Sequence, residues 1–482
     1  MISSITQPFT GPDLCAREAH EVVALLRKGE IAPRDLLEAA RARTDAVEPQ
    51  INAMPTTCWD RAEAAIDALA RGDRDAPGWL AGLPIGIKDL TPVAGVRSTF
   101  GTRGLADFIP KASDPLVERL EARGALVVGK TNTPEMGAGG NTFNEVFGPT
   151  LNPWNTQMNA GGSSGGAAAG LATGEVWLSH GSDHGGSLRT PAAYCGVVGM
   201  RPTPGRAGGA SLAAGFLIES VQGPMARSVT DCALFLDAMA GFEPRFPISY
   251  PAPDAPFQEA VHRADGRPRI GYAPDLGGIC PVDGDMRDHL ANAMTQLERS
   301  GATVEEACPD VTGLERTYHI LRGISWVTGA RTLNPGLRRH FKPTLEENIR
   351  FGEGLTIQDV AEAQVGRTAI FNAMLTFFEQ FDVLALPVVG CMPHPQNEAW
   401  VREIDGQPLS GYMDWLRFAF LATTAGLPAM SVPVPVGLGP RGMPVGLQLV
   451  GKPRGEAGLL AAARFVEMAM GGPLGPIDPV AG

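Results

Sequence analysis

Apolar residues recur at helical spacing through the first seventy positions. Residues 14–27 read as one helix, Pro33 sits at a helix start ahead of Leu36 and Leu37, and 60–71 form an alanine-rich helix closed by Gly72. Three helices before any strong strand predict an N-terminal wrap around a later sheet. From Leu83 onward the period changes, and short continuous apolar runs alternate with helical stretches. Strands are predicted at 84–87, 125–128, 176–179, 268–272, 303–305, 383–386, 429–432 and 445–450. Helices are predicted at 115–122, 165–172, 229–239, 287–297, 358–381 and 456–470. This order predicts an α/β fold: a single large domain with a twisted mixed β-sheet covered on both faces by α-helices. No internal repeat interrupts it, and the proline-rich stretch 251–256 reads as an exposed connection within one domain.

Composition narrows the classes. Of 482 residues, 44% are hydrophobic and 19% charged, enough to bury a core and too apolar for disorder. A net charge of −12 disfavours a nucleic-acid backbone or an anionic membrane surface as partner. The seven cysteines show no CxxC spacing and read as reduced thiols of a cytoplasmic protein. Residues 1–8 lack a basic n-region and an apolar h-region, so no secretory signal is expected. The apolar stretch 416–436 is broken by Thr, Gly and Pro, so no membrane span is expected. His20, His262, His289, His319, His340 and His394 show no ligand spacing; neither a metal nor a cofactor is expected.

Gly124 to Thr131 matches the phosphate-loop pattern G-x-x-x-x-G-K-[ST] letter by letter. Its four middle residues are themselves a strand, however, and Pro134 follows soon after, so helix–Gly–strand packing is the reading. The candidate chemistry lies elsewhere. Gly161-Gly162-Ser163-Ser164-Gly165-Gly166 is followed by Asp183-His184-Gly185-Gly186-Ser187-Leu188-Arg189 and preceded by Gly86-Ile87-Lys88-Asp89. Glycines let backbone approach a reacting carbonyl, while serine and lysine supply a nucleophile and a proton path. A solvated linker and an anion site at a helix start are the rival readings of the serine loop. Lys88 has a salt-bridge alternative with Asp89, but burial would leave it a neutral amine able to accept a proton. His184, three residues before Ser187 on a tight turn, reads as a pocket-lining residue rather than its base. Pocket candidates are Met136, Gly137, Gly139, Gly140, Asn141, Trp326, Tyr412 and Trp415, within 136–141 and 412–420 and on the 326 helix.

At these residues the chain resembles the amidase signature family of serine hydrolases. The resemblance extends through Gly129 to Glu135, Phe147 to Asn155, Pro191 to Gly196, Gly199 to Gly205 and Gly223 to Asp231, and late in the chain through Gly426 to Ala429 and Met443 to Gly451. Ser163 follows Lys88 by 75 residues and precedes Ser187 by 24, as in that family's triad. The resemblance implies Ser187 as nucleophile, Ser163 as a bridging serine preceded by a cis peptide, and Lys88 as ultimate base. It implies an oxyanion hole from the backbone N–H groups of His184, Gly185, Gly186 and Ser187, with Asp183, Arg189 and Ser164 in support. It further implies one amidase domain over 1–482, made of a helical wrap (1–75), the signature core (80–240) and the remaining sheet, covering helices and pocket loops (241–482). The expected activity is hydrolysis of small or medium acyl amides, with anilides, oligomeric or cyclic amides, esters and carbamates in range. The partner is a small-molecule amide, and a homodimer is compatible with the sequence. A glutaminase subunit of a tRNA-dependent amidotransferase and a non-catalytic binding protein are the alternatives. Two positions depart from the family: His184 stands where a small or aliphatic residue is usual, and Thr423-Thr424 where an asparagine often precedes Gly-Leu-Pro-Ala.

Overall fold

The computed structural model describes residues 8–209, 211–263, 266–434 and 438–482. Residues 1–7, where the absence of a leader was expected, and the end of the 416–436 stretch lie outside them. Eleven strands form one mixed sheet. In spatial order they are Thr56–Thr57, Ala125–Thr131, Leu83–Lys88, Leu178–Asp183, Val221–Ala226, Val198–Arg201, Ala429–Pro433, Gly446–Val450, Val383–Pro387, Arg269–Tyr272 and Thr303–Glu306. The pairs among Leu83–Lys88, Ala125–Thr131 and Leu178–Asp183 are parallel, as are those joining Arg269–Tyr272 to its two neighbours; the central pairs are antiparallel.

Strand alternation sorts the core into two faces. Ala125 and Val127 join the larger cluster with Ile85, Ile87 and the helix Val229–Met239, while Leu126 and Val128 join the cluster built on Gly165–Thr173. Lys88, next to Ile87 on its strand, therefore points to the Gly165–Thr173 face. That helix is buried along its whole length, which its glycines and alanines make possible. At Gly166 a Cβ would lie 2.3 Å from both the Ala53 carbonyl oxygen and the Asn132 nitrogen, so only glycine fits between those backbones.

Four expectations are corrected. The 14–27 helix is two, Asp13–Ala16 and Ala19–Lys28, because the buried Asp231 carboxylate accepts the Ala19 and His20 N–H groups at 2.7 and 2.8 Å and caps a new N-terminus. The strand expected at 176–179 runs instead over Leu178–Asp183; six-residue pairing with Val221–Ala226 overrides the poor strand propensity of Gly, Ser and Asp. Strands Val198–Arg201 and Val221–Ala226 were hidden by Gly199, Gly223 and Pro224. The helix expected at 358–381 is Ile357–Phe377, and it packs on Leu314–Thr332, which Gly323 and Gly329 masked. Among the described residues no helix is long and apolar enough to cross a membrane.

Gly166→Ala forces carbon into two backbones that cannot yield, an overpacking that costs about 1–3 kcal/mol. The expected result is a lower urea midpoint with an unchanged m-value.

Candidate active site

Three segments converge at the C-terminal ends of two adjacent parallel strands inside the sheet. Lys88 is the last residue of Leu83–Lys88, Ser163 and Ser164 lead into Gly165–Thr173, and Ser187 lies in the loop between strand Leu178–Asp183 and helix Arg189–Cys195. The buried Lys88 Nζ lies 2.7 Å from Ser163 Oγ, 2.8 Å from Ser164 Oγ and 3.1 Å from Ser182 Oγ. The Ser182 carbonyl oxygen is its fourth neighbour, at 3.3 Å. The salt bridge to Asp89 considered from sequence does not form. Asp89 pairs with Lys130 at 3.0 Å and accepts from the Thr99 hydroxyl at 2.5 Å. The phosphate-loop lysine is thus a buried partner of Asp89, set in a strand. With no carboxylate in contact, burial pulls the Lys88 amine down to about 7, the Asp183 charge restoring only part of the loss.

The Gly162–Ser163 peptide is cis. Ser163 and Ser187 both line a cavity of about 230 Å3, and no hydrogen bond joins their hydroxyls among the described residues. Ser187 is half-buried, open to the cavity.

Asp183 shapes the loop that carries Ser187. Its carboxylate accepts the Gly186 N–H at 3.2 Å and the Leu188 N–H at 3.1 Å. Arg189 grips it with Nε at 3.1 Å and Nη2 at 2.8 Å, and Arg201 Nη1 reaches it at 3.3 Å. Arg189 in turn bonds Gln448 on strand Gly446–Val450. Burial pushes the Asp183 carboxyl up, but the two guanidiniums outweigh it and hold the group well below the usual carboxylate range. Gly186 adopts φ +91°, a turn that brings its N–H back to Asp183. The four free donors expected of this loop therefore become three. The N–H groups of His184, Gly185 and Ser187 have no protein partner among the described residues, whereas that of Gly186 is spent on the brace.

The His184 imidazole does not address Ser187: its Nδ1 lies 2.9 Å from Ser220 Oγ and its ring meets Tyr318 edge-on. Burial and the nearby Arg322 and Arg201 charges keep it neutral. The Thr423 hydroxyl donates to the His184 carbonyl oxygen at 2.6 Å, so the two departures from the family pattern touch each other.

Met136, Gly137, Gly139 and Trp326 line the cavity as expected, along with Met413 and Leu416 of the 412–420 stretch. Gly140, Asn141, Tyr412 and Trp415 do not. Gly140 backs onto the Trp415 ring, which is occupied by Tyr194 and His394. Asn141 donates to the carbonyl oxygens of Gln396 and Glu398, and the Tyr412 hydroxyl is taken by Arg322 and Asn348. Sequence reasoning missed Leu90, Ser211, Leu217, Ser220, Gln222, Arg322 and Ser325 in the wall. The one-turn spacing that links Arg322 to Trp326 on a helix was the signal that could have found the arginine.

Asp183→Asn removes the counter-charge of two buried guanidiniums, a loss of about 3–5 kcal/mol. Chemical denaturation is expected to show it, and a midpoint equal to wild type would contradict the brace.

Comparison with known proteins identifies the family. The family model described as Amidase matches residues 35–460. An acylamidase of Rhodococcus erythropolis is 36% identical over 461 residues, covering 93% of this chain and 94% of its own. A glutamyl-tRNA(Gln) amidotransferase subunit of Geotalea daltonii is 34% identical over 480 residues, with 93% and 96% covered. The crystal structure of a bacterial aryl acylamidase of the amidase signature family superposes with a TM-score of 0.86 at 29% identity, covering 94% of this chain and 96% of that one. A buried lysine set against serines, a family model spanning most of the sequence and acylamidase relatives along its length lead to one conclusion: the chain belongs to the amidase signature family and is an amide-hydrolysing enzyme.

Proposed function

We propose that the chain hydrolyses small or medium acyl amides through an acyl-enzyme on Ser187, with Ser163 and Lys88 as its proton relay. The observation that carries this reading is the Lys88 amine, buried 2.7 Å from Ser163 Oγ and without a carboxylate in contact. A neutral Nζ takes the Ser163 proton while Ser163 Oγ takes that of Ser187, a contact made as a hydroxymethyl turns between staggered positions across the cavity. Ser187 Oγ then attacks the amide carbon. The unspent N–H groups of His184, Gly185 and Ser187 receive the developing oxyanion, each such donor being worth about 3–4 kcal/mol in comparable sites. The relay returns the proton to the leaving nitrogen, and water releases the acyl group. Ser164, 2.8 Å from Nζ, helps hold the amine in line.

The lining suits uncharged acyl groups as far as Met136, Leu217, Met413 and Leu416 are concerned, which supports anilides, oligomeric or cyclic amides and esters as substrates. All seven cysteines are free thiols, which fits a reducing cytoplasm. The amidotransferase relative favours one second reading, a glutaminase acting with partner subunits. Hydrolysis of a non-glutamine amide by the purified chain alone decides for the first.

Three outcomes are expected. A fluorophosphonate probe labels the wild type and not Ser187→Ala, while Lys88→Ala lowers kcat about 10²- to 10⁴-fold. With a neutral amide and chemistry rate-limiting, kcat/KM is level above pH 7 and falls as pH drops through about 7, because the protonated Lys88 amine has no pair to accept a proton. A profile flat through that range removes Lys88 from the relay.

A further inference from the structure

We infer that the preferred amides of this enzyme carry a carboxylate, received in the cavity by the guanidinium of Arg322; this rests on the reading of the cavity as the amidase site. Arg322 stands on helix Leu314–Thr332, lines the cavity and is only 6% exposed. Its Nε donates to Asn348 Oδ1 at 3.1 Å and its Nη2 to the Tyr412 hydroxyl at 2.5 Å. Nη1, with two N–H bonds, makes no hydrogen bond among the described residues; the Tyr318 hydroxyl beside the guanidinium is itself without a hydrogen-bond partner, and no carboxylate forms an ion pair with this side chain.

Four of the other buried arginines have a carboxylate partner, although Arg201 Nε and Nη2 and Arg206 Nε are buried without a hydrogen-bond partner among the described residues. Arg43 pairs with Asp478, Arg189 and Arg201 with Asp183, and Arg206 with Glu456. Arg227 donates to three backbone carbonyls, those of Val176, Cys15 and Arg17. Arg322 alone among them both lines the cavity and lacks a carboxylate partner. A guanidinium removed from water without a counter-charge is costly, and a ligand carboxylate offsets that cost with charge-assisted hydrogen bonds.

The surroundings reinforce the choice of an anion. Behind the wall residues Asp183 and Ser325, Arg189 and Arg201 pair with Asp183, and Arg367 pairs with Glu219, so with Arg322 four guanidiniums face two carboxylates although the chain as a whole has a net charge of −12. Glu219 is taken by Arg367 and by the Ser325 hydroxyl, so it does not reach Arg322 as a partner. The neighbouring His184 is neutral, its protonation opposed by burial and by the same guanidiniums. The same lining carries Met136, Met413 and Leu416, which suit a hydrocarbon link between carboxylate and amide.

The test uses two matched pairs of anilides. Succinanilate against pentananilide places the carboxylate on the acyl side, and 4-acetamidobenzoate against 4-methylacetanilide places it on the leaving amine. Wild type is expected to favour at least one carboxylate member by about tenfold or more in kcat/KM. Arg322→Gln brings that ratio to near unity through KM, and Arg322→Lys, which keeps a cation in the same place, retains part of it. Equal kcat/KM within both pairs, or a preference that survives Arg322→Gln, overturns the inference. Calorimetric titration of Ser187→Ala with the same compounds separates it from the hydrolase reading. Selective carboxylate binding without turnover of any compound by the wild type sinks the relay and keeps Arg322. Turnover of the neutral anilides without selective carboxylate binding does the reverse.

Discussion

The pairing of Asp89 with Lys130 and Thr99, one residue beyond the site lysine, leaves the Lys88 amine with hydroxyl and carbonyl neighbours alone. A carboxylate in contact would hold the amine charged and give it no pair to accept a proton. Two lysines lie buried on adjacent parallel strands, and the single acid between them is committed to one. The strand register makes that allocation. Lys88 pairs with Thr131 and Ile87 with Lys130, so the two amines fall on different sides of the chain turn that carries Asp89.

A second allocation, at Asp183, fixes the nucleophile loop. That carboxylate spends itself on two backbone N–H groups and two arginines, and Arg189 ties it to Gln448 on a strand far along the chain. Rigid positioning of this kind is what electrostatic stabilisation of a transition state requires, since donors already aimed need no reorganisation. The antiparallel middle of the sheet is therefore part of the site, though none of its strands lends a reacting atom.

Much of the site was legible because its chemistry is local: glycine-flanked serines and a lysine after an apolar run mark themselves by spacing. The alternation of strands and helices was legible for the same reason. What escaped was set by tertiary pairing. Strands rich in Gly, Pro and Ser, such as Val221–Ala226 and the end of Leu178–Asp183, form because they pair with each other over six residues, which no single segment reveals. The pocket wall escaped in part because Tyr412, Asn141 and Trp415 carry the right chemistry but spend it on each other's surroundings. Arg322 looks like any surface arginine of a helix until its burial is known.

The hydroxyl of Thr423 that holds the carbonyl of His184 joins two positions lying 239 residues apart in sequence. Without that hydroxyl the His184 carbonyl oxygen loses this partner, and the start of the loop that carries Ser187 is held less firmly. The bond engages main chain at 184, so it constrains the hydroxyl at 423 and leaves the side chain at 184 free to vary.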